Sequence, residues 1–147
     1  MKKLLPQANS IDKIIDSFIF IANYSEYTSE AHANFCNFNP RQSAYYANAC
    51  YYLDLIDENK KLTEFGLSII NSKRIKQGVL ERIFEDDIFN KLYARYIFEG
   101  KASARRFGFD LLSKTYFSYS EDVIKRRLST LLAWCDQISL VLRKKLN

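Results

Sequence analysis

Asn39-Pro40-Arg41-Gln42-Ser43-Ala44-Tyr45-Tyr46-Ala47-Asn48-Ala49 carries the strongest local signal in the chain. An asparagine side chain accepts a backbone N–H at a helix start, and proline suits the first helical position because no N–H is needed there. A helix is therefore predicted from Pro40 to about Leu55. Tyr46, Ala49, Cys50 and Leu53 recur along it at helical spacing as a core stripe. Arg41, Tyr45, Asn48 and Tyr52 form a second stripe that need not be buried.

Upstream, Thr28 caps a short helix from Ser29 to Cys36, and Asn37-Phe38 makes a tight link. Before that, Ser10 caps a helix running to about Tyr24, with Ile11, Ile14, Ile15, Phe18 and Ala22 at helical spacing. Phe18 and Phe20 cannot share one side of it. Residues 1–9 read as a short basic lead. Downstream, two short extended stretches flank the polar turn Asp57 to Lys60, the size of a hairpin wing. Thr63 then caps a helix to about Asn71.

A basic connector, Lys73-Arg74-Ile75-Lys76, opens the second half. Phe84, Ile88, Leu92, Tyr96 and Ile97 give a helix that Gly100 ends. Ser103 caps a shorter helix. Ser118 or Ser120 starts a long one, Ser118 with Glu121 having the capping-box spacing. The core stripe of that helix is Ile124, Leu128, Leu131, Leu132 and Cys135. Residues 138–147 read as a last helical turn or a remnant strand. Both halves repeat one order: long helix, short helix, tight link, capped long helix. The predicted division is a lead (1–9), a first unit (10–72) and a second unit packed on it (73–147).

Composition agrees with a mainly α fold. Of 147 residues 48% are hydrophobic, enough for a packed interior, and with only 4 Gly and 2 Pro few tight turns are available. The net charge of +5 is a moderate excess, informative only through where it falls. Cys36, Cys50 and Cys135 have no metal-ligand or redox spacing and read as buried thiols. The start of the chain lacks a signal-peptide pattern, and no apolar run approaches the ~20 residues that span a bilayer. A cytoplasmic protein without membrane association is expected.

In these surroundings the stretch from Asn39 to Ala49, followed by Tyr52-Leu53-Asp54-Leu55-Ile56 and then Leu62-Thr63-Glu64-Phe65-Gly66, resembles the winged-helix modules of bacterial restriction-modification proteins. Tyr119-Ser120-Glu121-Asp122-Val123-Ile124-Lys125-Arg126-Arg127-Leu128-Ser129-Thr130, closing with Trp134, resembles a second helix-turn-helix of the same group. The resemblance covers about residues 10 to 140. It implies two tandem winged-helix or helix-turn-helix units, the first with a short β-hairpin wing. It also implies sequence-specific binding of double-stranded DNA beside a nuclease or methylase subunit, with a homodimer as an allowed assembly.

The DNA-binding set expected on the first recognition helix is Arg41, Gln42, Tyr45 and Asn48, since such residues read base edges from a helix in the major groove. On the second it is Lys125, Arg126, Arg127, Ser129 and Thr130. Lys60 and Lys61 at the wing, and Lys73, Arg74 and Lys76 in the connector, are candidates for phosphates. The competing reading is a protein-docking module in which Tyr45, Tyr51 and Tyr52 form the contact and the basic residues only solubilise. His32, with Cys36 as its nearest soft neighbour, reads as structural. Glu85-Asp86-Asp87 reads as a helix cap. Asp57-Glu58-Asn59-Lys60 offers an acid-x-Lys pair without a second strand to complete a nuclease site. No catalytic, metal or cofactor site is expected.

Overall fold

The computed structural model describes residues 3–146, and among them there are eight helices and no strand. The chain divides into two compact units, the first ending at Ile83 and the second starting at Phe84. The connector at Lys73 and most of the helix after it therefore belong to the first unit.

The first unit is built on α1 (Ile11–Asn23), α2 (Ser29–Cys36) and α3 (Pro40–Tyr52), each packed against the other two. Their starts follow the capping residues read from the sequence. The side chains of Ser10, Thr28 and Asn39 accept from Lys13 N, Ala31 N and Arg41 N respectively. Ile11, Ile14, Ile15 and Phe18 are buried as the spacing requires, and Phe20 is buried as well, so α1 is covered on more than one side. Phe20 stacks on His32 of α2 with centroids 5.4 Å apart. The lead is not a loose arm: Leu5 and Ala8 are buried, and Lys3 donates to the Tyr51 carbonyl at 2.7 Å and pairs with Asp54. Asp54 also takes Arg82 at 3.1 Å. Burial would raise the Asp54 pKa, but hydrogen bonds from Lys3 and Arg82 prevail and hold it below the usual carboxylate value.

The expected winged-helix fold with its β-hairpin wing is not present. Residues 54–63 form a turn with one isolated antiparallel bridge, Ile56 to Leu62. The Asp57 carboxylate accepts from Asn59 N at 2.8 Å and Lys61 N at 3.0 Å, and Lys60 is left-handed at φ 60°. Thr63 then caps α4 (Glu64–Ser72) at once, accepting from Gly66 N at 2.9 Å. Two short arms between a side-chain-closed turn and a helix cap leave no length for a ladder. The α4 start is pressed onto the turn, and α5 (Ile75–Glu85) follows, burying Val79 and Ile83.

The second unit holds α6 (Asp87–Glu99), α7 (Lys101–Thr115) and α8 (Glu121–Leu146), with α7 packed against both others. Asp86 caps α6, accepting from Phe89 N at 3.0 Å. α7 starts directly after Gly100, whose φ of 94° separates it from α6, so Ser103 lies inside α7 instead of capping a shorter helix. Ser120, not Ser118, caps α8, accepting from Val123 N at 3.2 Å. α8 continues to Leu146, so the described part of residues 138–147 is helix. Asp136 ties the unit together by accepting from Tyr96 of α6 and Lys101 of α7, each at 2.7 Å. Among the described residues no helix is long and apolar enough to cross a membrane.

A Cβ added at Gly66 would lie 2.1 Å from the Leu55 carbonyl oxygen, a backbone atom with no rotamer to change. Gly66→Ala should therefore destabilise the first unit by about 2 kcal/mol or more, despite the higher helix propensity of alanine. A urea titration showing an unchanged or raised midpoint would contradict this packing.

Candidate nucleic-acid interface

α3 is set across α2 by the turn Asn37-Phe38-Asn39. Asn37 is left-handed (φ 58°, ψ 52°), and Phe38 N–H donates back to the Ala33 carbonyl at 3.0 Å, closing α2 as it reverses the chain. α3 is then anchored from inside. Ser43 donates to the Ser29 carbonyl at 2.7 Å, the Tyr46 hydroxyl accepts from Ser10 N at 3.1 Å, and Ala47 and Cys50 are buried. Arg41, Gln42, Ala44 and Tyr45 are left exposed on the opposite arc, with Asn48 half-buried beside them. Arg41, Gln42 and Asn48 make no side-chain hydrogen bond or ion pair among the described residues.

Tyr52, expected on that outer stripe, is buried. Tyr51 is half-buried under Lys3, whose Nζ lies 4.1 Å from its ring centroid. The three tyrosines therefore do not share one exposed face: Tyr45 is exposed, Tyr51 half-buried and Tyr52 buried. Lys61 is exposed. Lys60 is half-buried with its Nζ 5.0 Å from the Tyr27 centroid, so it lies over an aromatic face and not at the tip of a wing. Beside Asn48, Tyr27, Tyr51 and Lys60 line a cavity of about 430 Å³. In the connector, Lys73 and Arg74 are exposed and Lys76 lies 3.9 Å from Asp12.

On α8, Lys125, Arg126 and Ser129 are exposed on one arc, Lys125 pairing with Glu121 at 3.1 Å. Arg127 is half-buried. Thr130 is buried at 2% exposure, on the face that carries Leu131 and Trp134 inward, and cannot reach a groove from there. The sequence reading missed a second pair of cations. Arg105 and Arg106 on α7 join Lys125 around a groove of about 520 Å³ that Phe109, Leu128 and the acids Asp110 and Glu121 also line. Neither arginine forms an ion pair among the described residues. The adjacent arginines are the available signal, on a stretch whose spacing gives only a short helix starting at Ser103. From Phe84 onward the sequence has 12 Lys+Arg against 8 Asp+Glu, and before it 10 against 9, so most of the positive excess lies in the second unit.

The lone histidine is part of a buried hydrogen-bonded chain that composition could not show. His32 Nδ1 lies 2.7 Å from the Tyr27 hydroxyl, and Nε2 lies 2.6 Å from Ser17 Oγ, which is 3.5 Å from Cys36 Sγ. Ser17 and His32 are fully buried, so no substrate reaches either, and the set joins α1 to α2. Burial first, and then the charge of Lys60, lower the His32 pKa to about 4. Burial likewise raises the Cys36 thiol and pushes Cys135 up to about 12. The three cysteines are reduced and buried. Asp87 pairs with Lys91 at 3.1 Å, and among the described residues no three His, Cys, Asp or Glu side chains gather as a metal site.

A family model described as Domain of unknown function (DUF7226) matches residues 13–142. The chain belongs to that family. The match runs from α1 into α8, so the DUF7226 domain takes in both compact units. No curated protein and no solved structure matches the chain.

The histidine sets an acid limit on this member of DUF7226. Its pKa is about 4 when folded and 6.5 when free, so between these values the unfolded chain binds a proton that the folded chain refuses. The stabilisation is complete above pH 6.5 and is lost as pH falls towards 4, by about 3 kcal/mol across the window. Urea midpoints measured from pH 7 to 4 should fall more steeply for the native chain than for His32→Gln. Parallel profiles would refute the shift.

Proposed function

We infer that the protein binds duplex DNA, with α3 reading bases and the cations of α7 and α8 holding phosphates. The observation that carries this reading is the two-sidedness of α3. Ser43, Tyr46 and Ala47 hold its leading turns to α1 and α2, while the side chains of Arg41, Gln42 and Tyr45 face out from the same turns with no hydrogen-bond or ion-pair partner among the described residues. A helix held across its predecessor by a three-residue turn is the arrangement that enters a major groove. Arginine there pairs with guanine and glutamine with adenine. Arg105, Arg106, Lys125, Arg126 and Ser129 of the second unit suit the sugar-phosphate backbone. The protein acts in the cytoplasm as a recognition or accessory component, leaving cleavage or methylation to another subunit.

Selection of duplexes from a random pool by the full chain should enrich a defined site. On that site Arg41→Ala should weaken binding by about 1–3 kcal/mol and relax preference at one position. Arg126→Ala should weaken all sequences alike and reduce the slope of log K against log salt by roughly one. If six to eight phosphates are engaged, the native slope is roughly −5 to −7. Unchanged retention by both variants, or no enrichment at low salt, would remove this reading.

A further inference from the structure

The flank of α3 beside Asn48 is built differently from its outer stripe. The cavity of about 430 Å³ is lined from α3 by Ala44, Ala47, Asn48 and Tyr51, the two alanines leaving open space between the larger side chains. Its volume is within the range of small-molecule sites. Tyr27 and Tyr51 contribute aromatic surface to the lining. The Asn48 amide makes no hydrogen bond among the described residues, and it presents a donor and an acceptor side by side. That pair of groups matches the amino and ring-nitrogen edge of adenine. Glu58, also in the lining, forms no ion pair among the described residues, and Asp57 uses one oxygen on backbone N–H groups, its other oxygen having no hydrogen-bond partner among those residues. Both are acceptors for an exocyclic amino group. Lys60 places a cation at the same cavity, where a phosphate attached to the base's sugar would meet it.

We propose that this cavity is a nucleobase site for adenine, lying against tyrosine and hydrogen-bonded by Asn48. It needs only the first unit and stands apart from duplex binding by the outer stripe. Free nucleosides and unpaired nucleotides in a strand both present this chemistry.

Calorimetric titration of the full chain with adenosine, inosine and two thymidine oligomers, one carrying a single central adenosine, tests the proposal. Adenosine should bind saturably. Inosine, which carries a keto oxygen in place of the amino donor, should bind at least tenfold more weakly. Asn48→Ala should weaken adenosine about tenfold. Ala44→Leu fills the cavity from an exposed position and should abolish adenosine binding while thermal unfolding stays as in the native chain. A strand bound more tightly for its one adenosine assigns the site to unpaired nucleotides; equal strands with adenosine bound assign it to the free nucleoside. Equal binding of adenosine and inosine, adenosine binding that survives Ala44→Leu, or no binding of either adenosine or the adenosine-bearing strand would overturn the site. Duplex retention under any of those failures leaves the duplex reading standing.

Discussion

Asn37 adopts a left-handed backbone, a region that disfavours most residues with a Cβ and that asparagine tolerates. That one reversal decides where α3 goes. With only Phe38 and Asn39 left before the next helix, α3 must cross α2 closely, and Phe38 fills the angle by stacking on Tyr46 at 5.1 Å and meeting His32 edge-on at 5.2 Å. The inner face of α3 is thereby committed to α1 and α2. A longer or freer link would let the helix roll, and the separation between an anchored arc and an exposed one would be lost. The buried chain from Tyr27 through His32 to Ser17 and Cys36 works in the same direction. Polar groups excluded from water must keep their partners, so α1 and α2 cannot slide without stranding them.

The second unit reaches a similar end by close approach. A Cβ at Gly108 would fall 2.5 Å from Leu128 Cδ1 and 2.9 Å from Leu92 Cδ1, so α7 meets its neighbours through the one residue that has no side chain. That contact fixes how α7 and α8 run past each other, and hence that Arg105, Arg106 and Lys125 border one groove. The same packing explains the loss of Thr130. One position past the exposed Ser129, it turns under with Leu131, and its hydroxyl is enclosed.

Local rules exposed most elements and the starts of the first four helices. Ser10, Thr28, Asn39 and Thr63 each cap a helix as the sequence requires, because a capping hydrogen bond reaches only two or three residues along the chain. What failed depended either on which of several local hydrogen bonds prevails or on contacts far apart in sequence. The arms around Asp57 to Lys60 have strand-like residues, yet the Asp57 side chain closes the turn and the Thr63 cap ends the second arm before a ladder forms. Tyr52 sits on the spacing of an outer stripe, but the lead folds back to cover that end of the helix, and nothing between residues 1 and 9 announces it except Leu5 and Ala8. Ser118 and Glu121 have the right interval for a capping box, and Ser120 wins because its hydroxyl reaches Val123 N directly. Of the candidate site, Arg41, Gln42, Tyr45, Lys125, Arg126 and Ser129 are exposed, whereas Asn48 and Lys60 border a cavity that no periodicity could reveal.

The uneven charge of the two units bears on how a polyanion would be met. Phosphate contacts supply affinity without sequence information, whereas base-edge contacts supply discrimination. The first unit, nearly neutral in sequence, would be repelled by phosphates almost as much as attracted, with Asp57 and Glu58 close to Lys60. It would gain little from mere proximity to a duplex, and would gain from α3 only when Arg41 and Gln42 met base edges. The second unit carries the excess of cations and, on that reading, would gain from any duplex. Specificity and holding power would then rest on different helices of one domain, and altering either would leave a recognisable trace of the other. The family's single domain spans both units, and this division gives a physical reason for keeping them in one chain. If α3 reads sequence, a unit with so little net charge would need a holder, and a holder with no selective helix would rest on any sequence it met.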